Sequence, residues 1–184
     1  EYNILDVLFT APEIDISSLE LIMLIISPSV RNDVFFSKSL IKLKSTGSSS
    51  LVINDEPKEA FSEVYRCLKH GGYFLFSQVV PPEDSISEEY DWLVGRNIHY
   101  PTQSEIINWM SDFKILNQKN FILPGQSIMN WLNNTCHNSS EKNEIINRHI
   151  KTSDLYKTMV NYSTKNDDIF VDIKHFIILT QKVD

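Results

Sequence analysis

Glycine is scarce in this chain. The 184 residues include five, at positions 47, 71, 72, 95 and 125, and only Gly71 and Gly72 are neighbours. A Gly-x-Gly turn, which lets backbone close on a nucleotide-like cofactor, is therefore absent. Cysteine is scarcer still. Cys67 and Cys136 lie far apart, which excludes a CxxC pair and a cysteine zinc spacing. Cys67 falls in an apolar helical pattern and is expected as a small core residue. The 17 basic residues are outnumbered by 24 acidic ones, for a net charge of −7. No positive field draws in nucleic acid or an anionic membrane, and neither is expected as a partner. The longest apolar run, Leu19–Ser27, is broken by Glu20 and is too short to span a bilayer. No signal-peptide pattern is read, so a cytoplasmic protein is the expectation. Asn-x-Ser/Thr triplets at Asn133, Asn138 and Asn161 are what chance yields in an Asn-rich chain. The chain starts at Glu1 rather than Met, which leaves a fragment, a processed product or a renumbered chain as readings.

What is present reads as one soluble globular domain over residues 1–184, with 42% hydrophobic and 22% charged residues. Asp55-Glu56-Pro57 carries helix-start chemistry: a capping side chain, acids at the positive end of the dipole, and proline in the first turn. Ala60, Phe61, Val64, Tyr65 and Leu68 follow at helical spacing. Gly71 and Gly72 end that helix, and "YFLFSQVV" follows as a buried strand. Leu19–Ser27 fits a strand covered on both faces, and Tyr2–Phe9 is a second candidate. Residues 34–45 read as a short helix or a strand. A helical turn is expected at Ser87–Val94, and Thr102 with Glu105 forms a capping box before another helix. "FKILNQKNFIL" reads as a strand, and "SIMNWLNN", "SEKNEIINRHI" and "SDLYKTMVNY" read as helices. In "DIFVDIKHFIILTQK" apolar residues first alternate with polar ones, as in a long strand near a sheet edge with Asp172 and Lys174 facing water. Strands alternating with helices give an α/β class with a largely parallel sheet.

The stretch "EPKEAFSEVYRCLKHGGYFLFSQVVPPED" resembles the helix, glycine turn and fifth strand of class I S-adenosylmethionine-dependent methyltransferases. Glu63, Arg66, Leu68, Lys69, Gly71 and Gly72 stand in that family's register, with His70 where proline is usual. "RNIHYPTQSEIINWMSDFKILNQKNF" is similar to the next family segment, and "SSLELIMLIIS" to its fourth strand. The closing residues are similar to the tail of a bacterial small-molecule group of the family. The resemblance implies a Rossmann-like sheet of parallel strands with an antiparallel last strand and helices on both faces. Residues 1–55 match it poorly, 56–184 match it well, and helices within 127–162 would lie on the substrate side. It also implies S-adenosylmethionine as cofactor. Yet the glycine loop is missing: in one register "LFTAPEID" follows a first strand where the glycines should be, and in the preferred one "DVLFTAPEIDISSLELIMLIIS" matches the third-to-fourth-strand region. Leu8, Phe9 and Pro12 would obstruct a close backbone approach there, so weak binding or none is expected. In the preferred register Ser27, the last residue of the fourth-strand match, and Ser29, just beyond it, are the cofactor-contact candidates.

Open α/β sheets bind ligands beyond the carboxyl ends of their strands. The loop "RNIHY" follows such an end. His99 is a candidate general base, Tyr100 a candidate for orienting an acceptor, and Arg96 and Asn97 candidate substrate contacts. Glu83, just past the strand, is a candidate contact for a substrate amine. The alternative for each is a packed or solvated loop residue. His137 and His149 have no ligand spacing, so no metal site is expected. Trp92, Trp109 and Trp131 read as packing anchors, because no basic groove accompanies them. Two functions follow: methyl transfer to a small molecule, or a methyltransferase-like domain that has lost the cofactor and binds a protein partner.

Overall fold

The computed structural model describes residues 21–25, 34–35, 52–53, 57–95 and 99–183. Strands β1 (Leu21–Ile25), β2 (Val34–Phe35) and β3 (Val52–Ile53) come first, then helix α1 (Pro57–Cys67) and strand β4 (Tyr73–Val79). A short 3-10 turn at Asp84–Ile86 leads into α2 (Ser87–Val94), followed by α3 (Gln103–Trp109) and β5 (Lys114–Ser127). Helices α4 (Ile128–Thr135), α5 (Ser139–Lys151) and α6 (Asp154–Met159) precede β6 (Ser163–Lys165) and β7 (Asp168–Gln181). The fold is α/β. The strand expectations at Tyr2–Phe9 and over most of 34–45, and the cap at Asp55, lie outside the described residues.

Among the described residues the main sheet runs β1-β4-β7-β5, with β6 also on β7, and β2 pairs β3 separately. β1 and β4 are parallel, from Leu21 opposite Tyr73 to Ile25 opposite Ser77. β7 runs against β4. Lys182 exchanges hydrogen bonds with Gly71 and Gly72 at one end, and the Val80 N–H donates to the Lys174 carbonyl at the other. The last strand is thus antiparallel, as the resemblance implies. It lies one strand in from β5, the last strand of the described order, in keeping with a strand near a sheet edge. β7 lies between β4 and β5, and Asp172 and Lys174 are half-buried rather than solvated. Their polar groups hold neighbouring backbone: Asp172 accepts from the Gly125 N–H at 2.9 Å, and Lys174 donates to the Pro82 carbonyl at 2.7 Å. Alternation along a strand reveals which residues share a side, not whether that side meets water or loops.

Contacts divide the chain into two units. One comprises the described residues within 1–78, 105–120 and 176–184, and the other those within 79–104 and 121–175. In the first, α1 stops at a glycine turn in which Gly71 takes φ +73°, a conformation that favours glycine. Phe61 of α1 packs edge-on against Phe76 at 5.1 Å and stacks on Trp109 of α3 at 6.0 Å. Tyr65 meets Phe113 edge-on at 5.0 Å. Cys67 corrects the expectation of a core thiol: it is exposed. The buried arc of α1 runs through Ala60, Phe61 and Val64, and Cys67 falls off it. Glu63 and Arg66 of the family-like segment pair on the exposed surface of the same helix, where an ion pair contributes little.

In the second unit, Val79, Ile86, Leu93, Leu132, Ile145, Val171 and the rings of Tyr90, Tyr100 and Tyr156 form one apolar cluster, with Trp131 against it. The helices expected within 127–162 are α4, α5 and α6 of this unit. Their starts follow side-chain chemistry: Ser127, Asn138 and Ser153 each accept from backbone N–H groups at a helix amino end. Trp92 is not the packing anchor expected of it. It is 46% exposed, and the Arg148 guanidinium lies 5.7 Å from its ring centre.

Candidate functional site

β4 ends at Val79; Val80 still donates to β7, and the two prolines that follow cannot extend the ladder. Lys174 ties this turn through the Pro82 carbonyl. Asp84 then accepts from the Ser104 hydroxyl at 2.5 Å, which joins the start of the segment to its end. Between these ties lie α2 and the His99–Tyr100 stretch.

Asp91, on α2, organises that stretch. Its Oδ2 lies 2.7 Å from His99 Nδ1, and its Oδ1 accepts the Tyr100 backbone N–H at 2.8 Å. One carboxylate therefore sets both the imidazole and the chain beside it. The His99 side chain is 52% exposed and that of Asp91 27%. A carboxylate at Nδ1 favours the Nδ1–H form of a neutral imidazole and stabilises the charged form once a proton is taken up. Such a pair is equipped to accept a proton. Tyr100 itself is buried, at 2% exposure, with its ring edge-on to Tyr90 at 5.2 Å. Its ring forms part of the core beneath the loop.

Of the other candidates, Glu83 is exposed at the end of the β4 turn. Arg96, Asn97, Ser27 and Ser29 lie outside the described residues. Asp91 was not among the sequence candidates. It reads there as one acid in an acidic, amphipathic turn, and only folding brings it to His99. Among the described residues no group of three His, Cys, Asp or Glu side chains is placed to hold a metal ion. No helix of the described residues is long and apolar enough to cross a membrane.

The chain resembles solved structures in fold. One is a candidate methyltransferase of Bacillus halodurans, with a TM-score of 0.62 and 16% identity over 71% of this chain. Another is the YcgJ protein of Bacillus subtilis, with a TM-score of 0.59 and 19% identity over 71% of this chain. The chain has their fold. It spans 59% of the length of either. No protein-family model matches it, and no curated protein is similar to it in sequence.

A methyltransferase-type fold raises the question of a cofactor cradle. Gly71 and Gly72 stand at the amino end of β4, opposite to where ligands enter such sheets. Gly95 faces the Arg148 side chain, and Gly125 precedes α4. Of these, Gly125 alone lies near a strand's carboxyl end, in the last residues of β5 with φ +58°, and no second glycine stands beside it.

Proposed function

We propose that this chain takes part in methyl transfer to a small molecule, binding the acceptor beyond the carboxyl end of β4 and removing its proton through His99. The observation that carries the reading is the Asp91–His99 pair, at 2.7 Å, in a fold like that of methyltransferase-type proteins. S-adenosylmethionine is the methyl source the resemblance implies; it brings a methyl group on a positively charged sulfur. The chain's own part is to hold a nucleophile in line and to take up its proton as the new bond forms. A base is needed only by an acceptor that carries a proton, so hydroxyl or ammonium acceptors fit and thioethers do not. Arg96, Asn97 and Glu83 are proposed substrate contacts, and Tyr100 is proposed to orient the acceptor from beneath the loop.

The test is transfer of labelled methyl from millimolar S-adenosylmethionine to a panel of small hydroxyl and amine acceptors. His99→Ala is expected to lower turnover by about 10²–10⁴-fold, the usual worth of a positioned base. Asp91→Asn would place an amide donor against Nδ1 and favour the other imidazole form. It is expected to move the pH profile as well as the rate, which a purely structural Asp91 would not do. Absence of transfer to every acceptor, with a folded protein, would remove the methyl-transfer reading and favour the partner-binding one.

A further inference from the structure

We infer that the acceptor bound at this site is an anion, and that Lys174 reads its negative charge. The inference rests on the proposed acceptor site but can fail separately from it. Lys174 lies on β7 directly opposite Val80, the residue that follows β4, so it stands at the strand end where ligands enter. Its ammonium is half-buried and donates to the Pro82 carbonyl at 2.7 Å. An ammonium has three donors, and one neutral carbonyl does not balance a partly desolvated charge.

The nearby acids do not supply the balance. Asp172, on the same side of β7, accepts from the Gly125 N–H at 2.9 Å and from Asn161 Nδ2 at 2.7 Å, one donor to each oxygen. Asp84 accepts from Ser104. Among the described residues no carboxylate pairs with Lys174, in a chain whose net charge is −7. A cation kept unpaired among acids that are satisfied by neutral donors is a place for a carboxylate or similar anion carried by a ligand. His99, held by Asp91, lies in the segment after β4 whose Pro82 carbonyl Lys174 bonds. The acceptor class that fits both groups is a small acid with a hydroxyl or amine nucleophile.

The experiment compares 4-hydroxybenzoate with its uncharged amide by titration of the full chain, followed by nuclear magnetic resonance shifts. The acid is expected to bind about tenfold or more tighter than the amide. Lys174→Gln keeps a donor for the Pro82 carbonyl but removes the charge, and should abolish that preference with little change in melting temperature. Lys174→Arg should keep the preference. Equal binding of acid and amide, no binding of the acid up to about 10 mM, or a preference that survives in Lys174→Gln would each overturn the inference. Acid binding without any methyl transfer would leave the anion site standing and remove only the function proposed above.

Discussion

Arg148 reaches across from α5 to Gly95 so closely that a Cβ there would sit 2.8 Å from its Nη1. The same guanidinium donates to the Trp92 carbonyl at 2.7 Å and pairs with Glu144 one turn away. Gly95 closes α2 with φ +65° and ψ −166°, a region open essentially to glycine alone. Gly95→Ala should therefore destabilise the fold by about 1–3 kcal/mol, a drop of several degrees in Tm. Shortening Arg148 in the same variant should recover little, because an arginine tip can move aside and the backbone cannot. Full recovery in Gly95→Ala/Arg148→Ala would show that the contact, and not the conformation, sets the cost.

Glu89 carries a comparable burden for α6. Its carboxylate accepts from the Thr152 hydroxyl at 2.6 Å, the Ser153 N–H at 2.8 Å and the Ser153 hydroxyl at 2.7 Å. Burial pushes its pKa up, but these three donors outweigh that and hold it below the usual carboxylate value. A lowered carboxyl pKa means stability that is present at neutral pH and lost as pH falls through the acid range. Glu89→Gln is expected to cost about 1–2 kcal/mol at pH 7 and less at pH 3. Denaturant melts at the two pH values check it, and an equal cost at both would sink the argument.

His149 works with the same sign by a different cause. It is buried among apolar groups at 3% exposure, and that burial lowers its pKa, opposed by the bond from Nδ1–H to the Ile145 carbonyl. His175 is lowered by burial too. Below the unfolded value of 6.5 the unfolded chain binds protons that the native one refuses, so stability should fall as pH drops from there. Tm measured between pH 8 and 5 should decline, and His149→Gln should flatten part of that slope. An unchanged slope would mean that His149 titrates alike in both states.

Phe61 anchors the aromatic group of the first unit through Phe74, Phe76 and Trp109. Phe61→Ala should cost about 3–5 kcal/mol, and Phe61→Leu clearly less, by urea unfolding. Near-equal costs would indicate that lost ring contacts, rather than the cavity, dominate.

S-adenosylmethionine is expected to bind the isolated chain no better than about millimolar, roughly −4 kcal/mol. The motive is the absent glycine turn: few polar contacts cannot offset the freedom a small ligand loses. A direct titration decides. A micromolar constant would show that Ser27, Ser29 or other residues build a cradle without glycine.

Much of the fold is legible along the chain because its signals are local. Proline and acids at a helix start, an apolar stripe at helical spacing, two glycines and an apolar strand occupy one stretch, and they read as α1, the turn and β4. The side chains that cap α4, α5 and α6 lie next to the backbone they serve. What depended on tertiary structure was every relationship between residues distant in sequence. Asp91 became His99's partner only in the folded chain, and no periodicity encodes that pairing. That β7 sits between β4 and β5 was decided by long-range pairing, which no local pattern encodes. That pairing also turned Asp172 and Lys174 from water-facing charges into tethers of backbone. Cys67 and Trp92 were misread for a related reason. Whether an apolar side chain is buried depends on which elements arrive to cover its face, and a hydrophobic pattern on one helix does not say which they will be.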